Sequence, residues 1–256
     1  MRWVVRLGVV GLMLPLVPLV LWAFAQGWRF PDVLPPFSLR AFGYALSPVS
    51  GVMAALWTTT LVAGLTTVVA LMIGLPAGRA LGLYDFRGKG VVEMLVLVPI
   101  VVPGIAVVLG LQGVFIELGL TGTLVGVVLV HLMPVLPYVI LAIAGIFANF
   151  DKGLEDQART LGASVWRVQW YVTLPAIAPG VMVGAVFAFL ISSGQYILTL
   201  VIGGGRVETL PLLLFSFASA GRNDIAGAIG VIYVLPGVVL MGFAARRVTG
   251  RGAWMV

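Results

Sequence analysis

The sequence predicts an all-α integral membrane protein with six transmembrane helices, and three observations predict it. Of 256 residues, 61% are hydrophobic and 9% are charged, against about 25% charged in an ordinary soluble domain. The mean hydropathy of +1.15 gives the chain more apolar surface than a water-soluble fold of this length buries. Apolar runs of about 20 residues, long enough to cross the hydrocarbon core, recur along the whole chain. The connections between these runs alternate between basic and nearly neutral.

The expected spans are residues 7–25, 52–75, 91–115, 123–147, 178–202 and 226–244. With the N-terminus inside, the inner sections hold Arg2, Arg6, Arg79, Arg87, Lys89, Lys152, Arg159, Arg167, Arg246, Arg247 and Arg251. The outer sections hold Arg29, Arg40, Arg206 and Arg222. Eleven against four over short loops is a positive-inside bias, so both termini are expected on the cytoplasmic side. The net charge of +6 then reflects membrane topology rather than a nucleic-acid partner.

Each element has its own justification. Arg2, Arg6 and an apolar run ending in "AFAQ" (23–26) also fit a signal peptide with a small-residue cleavage site. The run exceeds a signal core, and five remaining spans would upset the charge alternation, so a retained first helix is expected. The outer loop 26–50, with Pro31, Pro35, Pro36 and Pro48, should be irregular. Pro99 and Pro103 should kink the third span, and Pro134 and Pro137 the fourth. Glu93 sits near the cytoplasmic start of the third span and reads as an end residue. Gly180 and Gly184 form a small-xxx-small pair on the fifth. The loop 203–225, which starts with three glycines, should cap the outer face. Nothing resembling a linker divides the chain, so one domain over 1–256 is expected.

The longest inner connection is out of character. "LEDQARTLGASVWRVQWYVTLP" (154–175) interrupts the apolar runs with acids, Arg and Trp around one glycine. Asp151 suits a helix N-cap, and Glu155 and Arg159 stand in the favourable order for a side-chain pair. Leu154, Ala158 and Leu161 share one helical face. Gly162 suits a stop or sharp bend, after which a second short helix can run to Val172 before Pro175 and Pro179 open the fifth span. On the residues alone this is a helix–bend–helix that either projects from the bilayer or rests on the headgroups through Trp166 and Trp170.

The spacing resembles the EAA loop of bacterial binding-protein-dependent ABC permeases, E-A-A-x-x-x-G-x9-I-x-L-P. Asp156, Gln157 and Ala158 occupy the first three positions, Gly162 the glycine, Val172 the isoleucine, and Leu174 and Pro175 the closing pair. Asp for Glu, Gln for Ala and Val for Ile depart from the pattern. "HLMPVLPYVI" (131–140), "LGASVWRV" (161–168) and "ETLPLLLFS" (208–216) are similar to the polyamine (spermidine/putrescine) subgroup. The resemblance implies a type I ABC importer permease fold and a coupling loop at 149–177 that docks on a separate ATPase subunit. It implies Glu155, Asp156, Ala158, Leu161 and Gly162 as the contact set. It further implies two ATPase subunits, a second permease subunit, identical or homologous, and an extracytoplasmic substrate-binding protein, in a bacterial inner membrane.

The residues agree with borrowed energy. The chain lacks G-x-x-x-x-G-K-[ST]; "RGKG" (87–90) has neither the spacing nor the hydroxyl. Without Cys and with one His, thiol chemistry, iron–sulfur clusters and a His-rich zinc site are excluded, and no G-x-S-x-G accompanies His131. No enzyme activity and no cofactor or metal are expected. Intramembrane polar residues that could face a common pathway are His131, Ser192, Ser193, Gln195 and Tyr196; each also fits hydrogen bonding between helices. Acidic residues often stand near the position of Gln195 in the polyamine subgroup, and here there is none. An ion-coupled secondary transporter or channel is the other function class, which calls for intramembrane carboxylates or repeats that the chain does not clearly show.

Overall fold

A computed structural model describes residues 3, 6, 8, 11, 14, 16–28 and 31–252, the last five by backbone alone. Arg2, Arg29 and most of residues 7–15 of the first expected span lie outside the described residues. Among the described residues the regular structure is helical, with one isolated antiparallel bridge between Ala25 and Phe37. The helices are α1 (Leu16–Ala23), α2 (Arg40–Ala45), α3 (Val52–Leu83), α4 (Lys89–Val101), α5 (Gly104–Glu117) and α6 (Leu124–Ala148). They continue with α7 (Gly153–Thr160), α8 (Val165–Val168), α9 (Leu174–Ser193), α10 (Ile197–Gly203), α11 (Leu210–Ser219) and α12 (Asn223–Gly252).

Four continuous helices are long and apolar enough to cross a membrane: Val52–Leu83, Leu124–Ala148, Val165–Ser193 and Asn223–Arg247. The pair α4 and α5 makes a fifth if it is one span, but it is bent by 99°. The third expected span is therefore broken rather than kinked. Pro103 disfavours the helical conformation at the preceding residue, and Val102 is extended, with φ −78° and ψ 130°. By contrast, Pro134 and Pro137 remain inside the continuous α6.

The fifth span also differs from expectation. The second short helix of the inner loop is not separate but continuous with it from Val165. A π-helical turn at Gln169–Thr173 joins the two, with Leu174 N–H donating to the Gln169 carbonyl. Pro175, which has no N–H to give, follows just after this turn. At its far end the span stops at Ser193 and resumes as α10. The outer loop 203–225 contains the apolar helix α11.

The chain forms two compact units. In the first, Met1–Thr60 with Glu208–Pro236, the core gathers Val52, Ala55, Leu210, Ile225, Ala228 and Ile229. Thr59 Oγ1 accepts a 2.8 Å hydrogen bond from Leu210 N–H and so satisfies the first turn of α11. A Cβ at Gly227 of α12 would lie 2.6 Å from the backbone nitrogen of Ala23, so α1 packs there against bare backbone.

The second unit is Leu61–Val207 with Gly237–Val256, and its core is built around α6 through Val135, Val139, Ile143 and Phe147. Here α3 meets α6 along Gly74, Gly78 and Gly82. A Cβ at those positions would lie 2.6 Å from Val139 Cγ1, 2.6 Å from Ile143 Cγ2 and 2.5 Å from the Ala144 carbonyl oxygen. A stripe of small residues at every fourth position lets two membrane helices approach to backbone distance. The expected Gly180/Gly184 pair is half realised. A Cβ at Gly180 would overlap Ile146, whereas one at Gly184 would meet nothing within 4 Å.

Candidate functional site

Helix α7 starts one residue later than an Asp151 cap would set it, with Lys152 in the N-cap position, yet Asp151 still serves the first turn. Asp151 Oδ1 accepts 2.8 Å from Gly153 N–H, satisfying a first-turn donor. At the other end Gly162 takes φ +86°. Its N–H donates to the Arg159 carbonyl at 2.9 Å, and Ala163 N–H donates to the Ala158 carbonyl at 3.0 Å. Those two bonds are the Schellman closure, which requires a left-handed residue after the last turn. The glycine is thus dictated by the turn, and the chain reverses into α8.

The helix has two unlike faces. Glu155 points inward and is 5% exposed. Asp156, Gln157, Thr160 and Leu161 line a shallow depression on the outer side. Leu161 is 88% exposed, an unusual position for a leucine, and Ala158 is half-buried between the two faces. Val165, Trp166, Trp170 and Tyr171 continue the exposed apolar surface past the bend.

Beneath the helix lies an ionic cluster. Arg79, in the last turns of α3, places Nη2 2.7 Å from Glu155 Oε2 and donates from Nη1 to Gln169 Oε1 at 3.2 Å. Thr173 Oγ1 donates to Glu155 Oε1 at 2.6 Å. Arg159, the partner expected from spacing, stands at 3.9 Å and is secondary. The guanidinium also sits 5.5 Å from the Phe147 ring centroid. Lys152 Nζ donates to the Leu83 carbonyl at 2.6 Å, placing a cation on the C-terminus of α3. Burial opposes ionisation of Glu155, but hydrogen bonds from Arg79 and Thr173 and the charges of Arg79 and Arg159 outweigh it. Its carboxyl is held below the usual carboxylate range.

Sequence reasoning counted Arg79 only as an inside charge. The available signal was an arginine in the final turns of an apolar helix, directly after Gly78. Its partner stands 76 positions away, beyond any local spacing rule.

The five pathway candidates divide. His131 is 1% exposed, with Nδ1 2.9 Å from Ser192 Oγ and Nε2 2.9 Å from Thr199 Oγ1. The Thr199 hydroxyl proton goes to the Gln195 carbonyl at 3.1 Å. Each ring nitrogen of His131 thus meets one hydroxyl, Nδ1 that of Ser192 and Nε2 that of Thr199. The ring bridges α9 and α10 across their break. Thr199, which sequence reasoning missed, completes this cluster. Ser193 Oγ donates to the Leu190 carbonyl at 3.1 Å, and Tyr196 precedes the first turn of α10. Of the five, Gln195 lines a cavity of about 340 Å3 that opens at the α4–α5 break, beside Val102, Pro103, Met133 and Tyr138.

A helical membrane body with a bent, partly apolar inner loop defines a class, and comparison supplies the family. The chain belongs to the binding-protein-dependent transport system inner membrane component family, whose profile matches residues 70–251. It is thus a multi-pass inner membrane protein and the permease subunit of an ABC importer, a transport component rather than an enzyme. It is 32% identical to the molybdenum transport system permease protein ModB of Mycobacterium tuberculosis, across 97% of this chain and 96% of that protein. It is 26% identical to the putrescine transport system permease protein PotI of Escherichia coli K12, across 97% and 90%. Among solved structures it is similar to a bacterial ABC transporter involved in alginate import, with TM-score 0.68, 18% identity and coverage of 95% and 94%. It is also similar to the MetNI methionine ABC transporter, with TM-score 0.63, 16% identity and coverage of 78% and 95%.

Proposed function

We propose that this permease domain spans 1–256 and imports a small solute by receiving ATP-driven motion through the loop 149–177. The observation that carries the reading is α7. It is closed by a Schellman turn, anchored underneath, and presents Asp156, Leu161 and Gly162 outward. In this reading Asp156, Ala158, Leu161 and Gly162 meet an ABC ATPase, while Glu155 contributes from below by holding the helix. A second permease subunit, two ATPase subunits and an extracytoplasmic binding protein complete the complex. Both termini lie on the cytoplasmic side, as the charge bias predicts. ATP binding to the partners favours one state of the pair and hydrolysis releases it.

For substrate we propose a small oxyanion of the molybdate kind. The support is the 32% identity to a molybdenum permease and a cavity whose lining includes no carboxylate. A polyamine is the second reading, favoured by the stretches 131–140, 161–168 and 208–216. Gln195 is the candidate contact in either case, with Ser193 and Tyr196 nearby in sequence and His131 and Ser192 holding the frame. An ion-coupled transporter or channel, the other reading of the sequence, loses to family membership.

The test is purification of the chain from its native membrane in mild detergent, with mass spectrometry of retained proteins. An ATPase lost on changing Asp156 and Gly162 supports the coupling reading, and a chain that purifies alone defeats it. Uptake of labelled molybdate against labelled putrescine then decides the substrate.

A further inference from the structure

Chain connectivity ties the loop to α6 on one side and to α8 and α9 on the other. It does not tie it to α3, yet the structure does so twice. Arg79 holds Glu155 at 2.7 Å, and Lys152 holds the Leu83 carbonyl at 2.6 Å. Along this same stretch α3 is pressed onto α6 by Gly74, Gly78 and Gly82, with no room for a Cβ at any of them. Interfaces packed at backbone distance do not slide continuously. The Arg79 guanidinium and the Glu155 carboxylate also reach Gln169 and Thr173, the first and last residues of the π-helical turn that leads into α9. Such turns, with a shifted bonding register, recur at functional places in helices.

We propose that Arg79 is a positioning residue of the transport cycle: through Glu155 it fastens the coupling helix to α3. A displacement of α7 then moves the inner end of α3, and α6 with it, while the π turn takes up the strain at the start of α9. This rests on the coupling-loop reading above and adds to it the element that receives the motion. Asp156 and Leu161 face outward for a partner; Arg79 touches neither the partner's side of the loop nor the Gln195 cavity.

The native complex, purified through this chain and reconstituted into vesicles, tests the assignment with labelled molybdate, or labelled putrescine if the wild type imports that instead. Arg79→Met is expected to retain the ATPase subunits and their hydrolysis while uptake falls about ten-fold, within the range that changes along a coupling network produce. Arg79→Lys is expected to restore part of the uptake, as is the exchanged pair Arg79→Glu with Glu155→Arg. Where Arg79→Met impairs assembly, Glu155→Gln carries the test, because it keeps the side-chain shape, lets the amide oxygen accept from Arg79 and the amide N–H donate to the Thr173 hydroxyl, and removes the charge. Normal uptake in an assembled Arg79→Met complex overturns the proposal. So does loss of uptake in strict proportion to loss of bound ATPase, unrescued by Arg79→Lys, since that marks a purely structural pair. Absence of any ATPase from the wild-type preparation defeats the coupling-loop reading instead.

Discussion

Two buried polar clusters sit in the same helical unit and solve the same problem in opposite ways. At the inner loop, Arg79, Glu155, Thr173 and Gln169 bury a full ion pair. Within the apolar helices, His131, Ser192 and Thr199 bury an imidazole between two hydroxyls. A charge deep in hydrocarbon is expensive and needs a partner or water. Near the ends of α3 and α9 the cost is lower, and the Arg79 side chain keeps 19% of its surface exposed. The comparison teaches that depth selects chemistry: ionic joints where water is near, hydroxyl bridges where it is not.

The largest difference should appear on breaking each cluster from one side. Arg79→Met leaves the Glu155 carboxylate nearly stranded, and removing one partner of a buried pair costs about 3–5 kcal/mol. Given the partial exposure of Arg79, we expect about 2–3 kcal/mol, read as a lower melting temperature of the purified complex. A double-mutant cycle with Glu155→Gln should show strong coupling; strict additivity would break the account of the pair.

Gly162→Val comes next. Forcing a β-branched residue into φ +86° should cost about 1–2 kcal/mol and reopen the Schellman turn. Transport should drop at normal membrane levels, and unchanged uptake would contradict the coupling role of the bend.

His131→Leu should cost less, about 1–2 kcal/mol, because interhelical hydrogen bonds in bilayers average about 0.6 kcal/mol each. Assembly is expected to survive while substrate handling changes through Gln195, measured as a shifted KM for uptake. If assembly collapses instead, the bridge is structural alone. Thr199→Val should cost about 0.6 kcal/mol, the smallest single change.

Acid should separate the clusters further. Glu155 is held below its ordinary range in the folded chain, so its contribution is present above about pH 4.3, the unfolded value. It is lost as pH falls through the lower folded value. Arg79→Met should therefore lose less stability on acidification than the wild type, compared by thermal melting across pH.

Some of this was legible in advance. The α7 boundaries, the Gly162 reversal and the inward aim of the loop follow from caps and a glycine, which act within a turn or two. The wet or dry character of each segment follows likewise from composition. The Gly74–Gly78–Gly82 stripe carried a visible period of four, but the same period at Gly180–Gly184 leads to one real contact and one open space. Small residues permit close approach without compelling it. The break of the third span was foreshadowed by Pro103, whereas its size was not. A proline removes one bond and one conformation, and the packing of the flanking helices sets the angle.

Local chemistry therefore accounts for the membrane class, the loop and its bend, because hydropathy, charge placement and capping are properties of neighbouring residues. Pairing is different. That Glu155 turns from Arg159 to Arg79, and that His131 meets Thr199 as well as Ser192, depends on which helices lie side by side. No spacing along the chain encodes a distance across it, so those partners emerge only when α3, α6, α7 and α9 are packed together.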